Sequence, residues 1–320
     1  MRERDVLRLV DDRFGPPPAG VALGPGDDAA VLEDGTVITT DTVVDGVHVD
    51  RRWSSLEDVG WKAVHAAVSD VPAMGARPTA AVVAALLPTD FTIDRVAALL
   101  DGLAEAANAA GVPIVGGDVT TSPTLAVTVT VMGRLIGERP CTRAGATEGD
   151  VVAVIGDIGR SAAGLALHRA AADGDAVASG VLGDHPELSD AHRRPRALVA
   201  AAGVLASDLV SAGIDVSDGL GRDLGHVAAA SGVGIELGAL PFDPSVDEAA
   251  AVLGLSARRL RLGGGDDHAL AVTMAATGAE RVAHAVAGVG LPFAVIGNVV
   301  AGSGVTHDGE DVTELGWEHR

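Results

Sequence analysis

The chain has 320 residues, 48% of them hydrophobic types and 21% charged, which is enough apolar material for one large domain or two modest ones and too much for disorder. A formal charge of −21 at pH 7 would repel a nucleic-acid backbone or an anionic lipid surface, so neither is an expected partner. The same charge ties any phosphate ligand to divalent cations, because an Asp-rich cleft repels a polyphosphate unless metal lies between them.

Apolar spacing predicts a helix over Asp5 to Phe14, stopped by Pro16, Pro17 and Pro18. A loop over Leu23 to Ala29 leads into a short strand over Thr36 to Thr40, followed by a turn at Asp45-Gly46. Leu56 to Ser69 has helical period. Thr79 to Leu87 is a near-continuous apolar run closed by Pro88, as in a strand buried on both faces. A helix over Ile93 to Ala110 and strands over Pro113 to Val115 and Leu125 to Met132 complete the first half, in α/β or α+β order. The polar, glycine-bearing segment Arg143 to Gly149 precedes a new strand, Val151 to Ile155, and a helix from Ser161, so the chain is divided here into residues 1–145 and 146–320. Beyond it come a surface loop over Asp173 to Asp190, helices over Arg196 to Ala206 and Leu220 to Ala230, and strands over Gly213 to Val216, Gly234 to Leu237 and Ala269 to Met274. The longest apolar run, Ala80 to Leu87, is far too short to span a bilayer, and Met1 to Arg13 is charged and amphipathic. Cys141 is the only cysteine, which excludes an internal disulfide or a Cys-rich zinc site and fits a reducing, cytoplasmic setting.

Five segments place carboxylates at strand ends or in glycine-flanked turns: Gly26-Asp27-Asp28, Thr39-Thr40-Asp41, Ser69-Asp70, Gly117-Asp118, and Asp215-Val216-Ser217-Asp218-Gly219. Magnesium takes hard oxygen ligands and is held by a few carboxylates together with substrate phosphates, so a site of this kind draws Asp from several loops. Each turn alone has an ordinary reading, since Asp is common in turns and helix caps, and Asp218 stands where it could cap the helix after Gly219. The sequence has no G-x-x-x-x-G-K-[ST] loop, and its one lysine, Lys62, reads as the surface partner of Asp58 one helical turn earlier. Charge on a transferring phosphoryl group would then fall to metal and arginine, with Arg143 the best placed. Cys141 reads as a packing residue, and His48 is open between a solvated loop residue and a site residue. Aromatic residues make up only 2% of the chain, so Trp53, Trp61 and Trp317 are the scarce large rings.

Read in order, six segments resemble the thiamine-monophosphate kinase family, part of the superfamily that includes aminoimidazole-ribonucleotide synthetase, selenophosphate synthetase and a hydrogenase-maturation protein. They are Gly26 to Val31, Thr39 to His48, Ser69 to Ala76, Gly116 to Thr120, Thr142 to Ala146 and Ile214 to Leu220. The resemblance implies that Asp28, Thr39, Thr40, Asp41, Asp70, Asp118, Asp215 and Asp218 surround several magnesium ions bridging the ATP phosphates, with Gly117, Asp118, Arg143 and Ser217 at the nucleotide. Asp41, Asp70, Asp118 and Arg143 would be the catalytic set. His48, Asp266 and Trp317 would contact thiamine monophosphate. It further implies an N-terminal α/β domain whose mixed sheet forms a barrel across a homodimer, and a C-terminal layered α+β domain that completes the active site.

The chain departs from the family pattern at Asp266, where a Glu is usual, at Ala67, where an Asn is usual, and near Asn108, where an adenine-stacking aromatic is expected. Two other readings stand beside the kinase: another ATP-using enzyme of the superfamily, such as an aminoimidazole-ribonucleotide synthetase, and a non-catalytic nucleotide- or metal-binding homologue. Selenophosphate synthetase-like chemistry is disfavoured because the single thiol lies mid-chain.

Overall fold

Valines alternating with threonines build the first sheet. In β3 (Thr36–Val44) and β6 (Ala126–Leu135), Val37, Val43, Val127, Val129 and Val131 turn inward while Thr40 and Thr42 meet Thr130 and Thr128 across the opposite face, with hydroxyl contacts of 3.0 and 2.8 Å. With β1 (Val21–Leu23), β2 (Ala30–Leu32), β4 (Ala76–Leu87) and β5 (Ile114–Thr121) they form a six-stranded sheet in the order β1-β2-β3-β6-β4-β5. Only the β4–β5 pair is parallel, and β5 is an outer edge. This computed structural model describes residues 6, 9–10 and 13–318, so the helix expected over Asp5 to Phe14 falls partly outside the described residues.

Helix α1 (Leu56–Ala73) packs on the valine face and also touches the second half of the chain. Its start is fixed by a capping box: Ser55 Oγ accepts from the Asp58 amide at 3.2 Å, and Asp58 Oδ2 accepts from the Ser55 amide at 3.0 Å. Helix α2 (Ile93–Ala110) crosses α1 where both carry glycine. A Cβ on Gly60 would lie 2.5 Å from the Leu99 carbonyl oxygen and one on Gly102 2.1 Å from that of Glu57, so the two backbones touch only because neither residue has a side chain.

The second sheet has seven strands: β7 (Asp150–Ile155), β8 (Ala212–Val216), β9 (Gly234–Leu237), β10 (Ala269–Ala275), β11 (Phe293–Val300), β12 (Gly304–His307) and β13 (Glu310–Asp311), in the order β13-β12-β9-β11-β7-β10-β8. Strands β7 and β10 and the edge strand β8 are buried along nearly their whole length, because separate apolar clusters cover both faces. Cys141 lies in one of these clusters as a packing residue, its thiol pushed up by burial. The protein is thus a mixed α/β fold with two mixed sheets. Among the described residues no helix is long and apolar enough to cross a membrane.

Strands β3 and β5 run beyond their expected ends, and two further segments differ in kind from the sequence expectation. Asp173 to Asp190 is not a loop: it holds most of two helices beyond α3 (Arg160–Ala172), namely α4 (Ala176–Asp184) and α5 (Pro186–Arg193). Asp175 caps α4 by accepting from the Val177 and Ala178 amides at 2.8 and 3.1 Å, and Ala178, Val181 and Leu188 bury against Leu167 and Val246. Arg196 to Ala206 is not one helix. Residues 196–198 are non-helical, with the Ala197 amide donating to His65 Nδ1 at 3.2 Å, and only a 3-10 turn and α6 (Ala202–Leu205) follow.

Candidate active site

The acidic segments meet through hydrogen bonds that span most of the chain. Along β3, Thr39 and Asp41 share the face toward α1, and Thr39 Oγ1 donates to Asp70 Oδ2 at 2.5 Å. Next to Asp70 on α1, Ser69 Oγ donates to Asp215 Oδ2 at 2.8 Å across a separation of 146 residues. The Asp215 amide donates to Asp28 Oδ2 at 3.3 Å, and Arg143 places Nε and Nη2 on Asp28 Oδ1 at 3.0 and 2.6 Å. The Arg143 amide also reaches Asp27 Oδ2 at 3.2 Å. Asp28, Thr39, Asp70, Arg143 and Asp215 therefore form one connected network.

This network is short of positive charge. The Asp28 side chain is 1% exposed, and burial raises its carboxyl even though Arg143 opposes the shift; Asp215 then adds to the rise. Asp70 is raised by burial and then by Asp215 and Asp28, and it stands in the last turn of α1, where the helix's negative end disfavours a carboxylate and favours a cation. Among the described residues no three His, Cys, Asp or Glu side chains converge closely enough to hold a metal by themselves. Hard oxygen donors with surplus negative charge nonetheless fit magnesium, which completes its shell from water and phosphate oxygens.

Asp41, Asp70, Asp215, Ser217 and Asp218 line a cavity of about 800 Å³ together with Thr40, His48, Asp266 and Trp317. The β8–α7 turn is held by Asp223, whose Oδ2 accepts from the Asp218 and Gly219 amides at 3.1 and 3.0 Å; α7 (Leu220–Ser231) is thus not capped by Asp218, which pairs with Arg222 at 3.7 Å. His48 sits in the loop between β3 and α1, and its Nδ1 accepts from the Val44 amide at 3.0 Å, which leaves the proton of the neutral ring on Nε2. Asp266 follows α9 (Ala257–Gly263), with its amide on the Ser217 carbonyl at 2.7 Å and its carboxylate 2.8 Å from Lys62 Nζ. Burial alone would raise Asp266; the Lys62 ammonium, with help from His268 and His192, outweighs it and holds the carboxyl at about 2.

Gly117 and Asp118 do not line this cavity. They line a second, mostly apolar groove of about 840 Å³ between α2, β4 and β5, with Asn108 on its wall. Gly117 pairs with Val83, Val83 with Val129 and Val129 with Asp41, so three strand spacings, roughly 14 Å, separate Gly117 from Asp41. A Cβ on Gly117 would fall 1.9 Å from the Val83 carbonyl oxygen, which only glycine allows.

With this geometry in view, comparison with known proteins is decisive. Residues 26–135 match the family model of the AIR synthase related protein, N-terminal domain, and residues 147–309 that of its C-terminal domain. The thiamine-monophosphate kinase of Mycobacterium tuberculosis is 40% identical over 321 residues, covering 98% of this chain and 90% of the relative, and that of Halobacterium salinarum is 36% identical with full coverage of both. The solved structure of AaThiL complexed with AMPPCP and TMP superposes with a TM-score of 0.85 at 29% identity, covering 100% of this chain and 97% of the other. The chain belongs to the thiamine-monophosphate kinase family.

Several side chains at this candidate site differ from what the sequence alone suggests. Lys62 is not a surface partner of Asp58: it is 1% exposed and bound to Asp266, while Asp58 is taken by the helix cap and by Arg193 at 3.2 Å. The pattern Ser55-x-x-Asp58 was the available signal, since a capping box commits that Asp. His268 is buried with Nδ1 3.7 Å from Asp215 Oδ2. Asp267, pushed up to about 7 by burial, accepts from the Gly159 and Ser161 amides at 2.7 and 3.2 Å and so caps α3 beside the cavity. Of the three Trp residues, Trp53 and Trp317 line the cavity, whereas Trp61 is buried with its Nε1 on the Pro195 carbonyl at 2.7 Å.

Proposed function

We propose that this protein moves the γ-phosphoryl group of ATP onto thiamine monophosphate, giving thiamine diphosphate and ADP. The single observation that carries the reading is the meeting of acids from both halves of the chain at one cavity that also holds His48, Asp266 and Trp317. The family membership and the likeness to a structure complexed with AMPPCP and TMP support it.

In this reading Asp28, Thr39, Thr40, Asp41, Asp70, Asp215 and Asp218 would hold magnesium, Arg143 and Ser217 contact the ATP phosphates, and Gly117 with Asp118 meets the nucleotide from the second groove. Bound magnesium supplies positive charge that offsets repulsion between the two phosphate-bearing substrates. The acceptor phosphate is already an anionic nucleophile at neutral pH, so the residues have no proton to remove from it. One of its oxygens forms the new bond to the γ-phosphorus as the bond to the β–γ bridging oxygen breaks, and ADP leaves with that electron pair. Arg143 orients the donor, Asp266 and His48 set the acceptor side, and the Trp317 ring packs on the acceptor's aromatic part. The groove beside Gly117, with Asn108 in its wall, suits an adenine base and needs no stacking aromatic. Purified protein with ATP, magnesium and thiamine monophosphate should form thiamine diphosphate and ADP in equal amounts; ADP formed without the acceptor, or no thiamine diphosphate, would sink the assignment.

The working unit in this reading is a homodimer whose first sheets close into a shared barrel. Edge strand β5 leaves Val115 and Val119 63% and 69% exposed, an unpaired edge that natural proteins normally cover. Val119→Lys should shift the protein from dimer to monomer in size-exclusion chromatography with light scattering, and an unchanged mass would place the interface elsewhere. The division at residues 145 and 146 is supported by the gap between β6 and β7 and by the bounds of the two family models. A cytoplasmic location follows from the use of ATP as donor.

A further inference from the structure

Lys62 is the only lysine in the sequence, and it is spent in the interior of α1 at 1% exposure. An ammonium has three N–H donors and no acceptor, and all three are used: the His48 carbonyl at 3.1 Å, the His192 carbonyl at 3.2 Å and Asp266 Oδ2 at 2.8 Å. The acceptors come from three separate segments, the β3–α1 loop, the last turn of α5 and the turn entering β10. Asp266 itself adopts a left-handed backbone, φ +61°, unusual for a non-glycine residue, and its amide is fixed to the Ser217 carbonyl. Its carboxylate is thus held from one side by Lys62 and its backbone from the other by the acidic turn. An apolar residue at position 62 would leave the His48 and His192 carbonyls and the Asp266 carboxylate without this donor.

We infer that Lys62 is a positioning residue for the acceptor, the one point that fixes the His48 loop and the Asp266 turn at a set distance, and that it governs affinity for thiamine monophosphate and not for ATP. The inference rests on the kinase reading above. Lys62 bonds directly to the His48 loop and to Asp266 on the acceptor wall, and meets the nucleotide side only at one remove, through the Asp266 amide on the Ser217 carbonyl, so its loss is felt first at the acceptor. The side chain at 266 is also one methylene shorter than the usual family Glu, and it is drawn toward Lys62, so the ammonium decides where this shorter carboxylate stands.

The test is steady-state kinetics of Lys62→Met and of Lys62→Met/Asp266→Asn beside the wild type, with both substrates varied. Lys62→Met should raise the KM for thiamine monophosphate about tenfold or more while that for ATP stays within about twofold. The double variant, which removes the carboxylate left without its counter-ion, should be no worse than the single one. An unmoved acceptor KM, or equal shifts for both substrates, overturns the inference. If Lys62→Met does not fold by circular dichroism, the double variant is compared with Asp266→Asn alone, where an unchanged acceptor KM overturns the inference, and failure of both Lys62 variants to fold assigns Lys62 to stability alone and overturns it as well. A wild type that makes no thiamine diphosphate sinks the kinase reading; a wild type that turns over beside a Lys62→Met with unchanged KM sinks only the role of Lys62.

Discussion

Replacing Asp70 by Asn should lower kcat/KM by roughly 1,000-fold or more and yet leave the metal-free protein as stable as the wild type or more so. Asp70 is central to the network, tied to Thr39 at 2.5 Å and adjacent to the Ser69–Asp215 bond, so its charge is what the proposed magnesium would meet. Without a cation that charge is unfavourable: burial and the neighbouring Asp215 and Asp28 raise the Asp70 carboxyl above its unfolded value of 3.8. A carboxyl raised in the folded state stabilises only below its unfolded pKa, and its contribution is lost as pH rises through the folded value. At neutral pH the raised Asp70 carboxyl therefore costs stability. Asn removes that cost and keeps an oxygen to accept from Thr39. Thermal melts in EDTA should show an unchanged or higher Tm, and the increase in Tm on adding magnesium should shrink. Full activity in Asp70→Asn, or a collapse of Tm in EDTA, would contradict this account of the site.

Such separation of function from stability explains which parts of the site could be read from sequence. The acids announce themselves because carboxylates in glycine-flanked turns are local patterns, and the strands that carry them alternate valine with threonine. The pairing of Lys62 differs from expectation because spacing on a helix identifies a possible neighbour but not the competition for it: Asp58 is claimed by Ser55 and Arg193, and the true partner lies 204 residues away. Asp173 to Asp190 was misread because Gly174, Gly180 and Gly183 mask a helical spacing whose apolar positions are paid for only by packing on α3 and α8 (Pro244–Leu253). Gly117 and Asp118 shared a motif with the other acids, but β5 is longer than the expected strand and carries them along the outer edge, a consequence of strand order that no local pattern encodes. Position 268 shows a different limit. His268 owes its place beside Asp215 to β8 and β10 being antiparallel neighbours, with Ala269 paired to Val216.

Arg143→Ala should have the second largest effect, and on both stability and turnover. Among the described residues its guanidinium is the one cation paired with Asp28, whose side chain is 1% exposed, so truncation leaves a buried carboxylate without that partner. Breaking a buried pair from one side costs about 3–5 kcal/mol, and here the lower end applies because the Asp28 carboxyl, already raised by burial, can take up a proton instead. The sign follows directly. Losing Arg143 raises the folded-state Asp28 further, so the deficit against wild type should be small in acid and widen as pH rises through the neutral range, measured by urea unfolding in EDTA. Asp28→Asn placed on top of Arg143→Ala removes the stranded charge and should recover much of the stability. It should recover none of the turnover, since roughly 100-fold or more of kcat/KM is expected to go with the loss of the guanidinium from the donor phosphates. Arg143→Lys keeps the charge but offers no planar fork for Asp28, so it should restore the pH dependence more fully than the rate. A deficit for Arg143→Ala that is flat with pH would mean Asp28 is solvated, and the buried acid network with which the kinase reading begins would not exist.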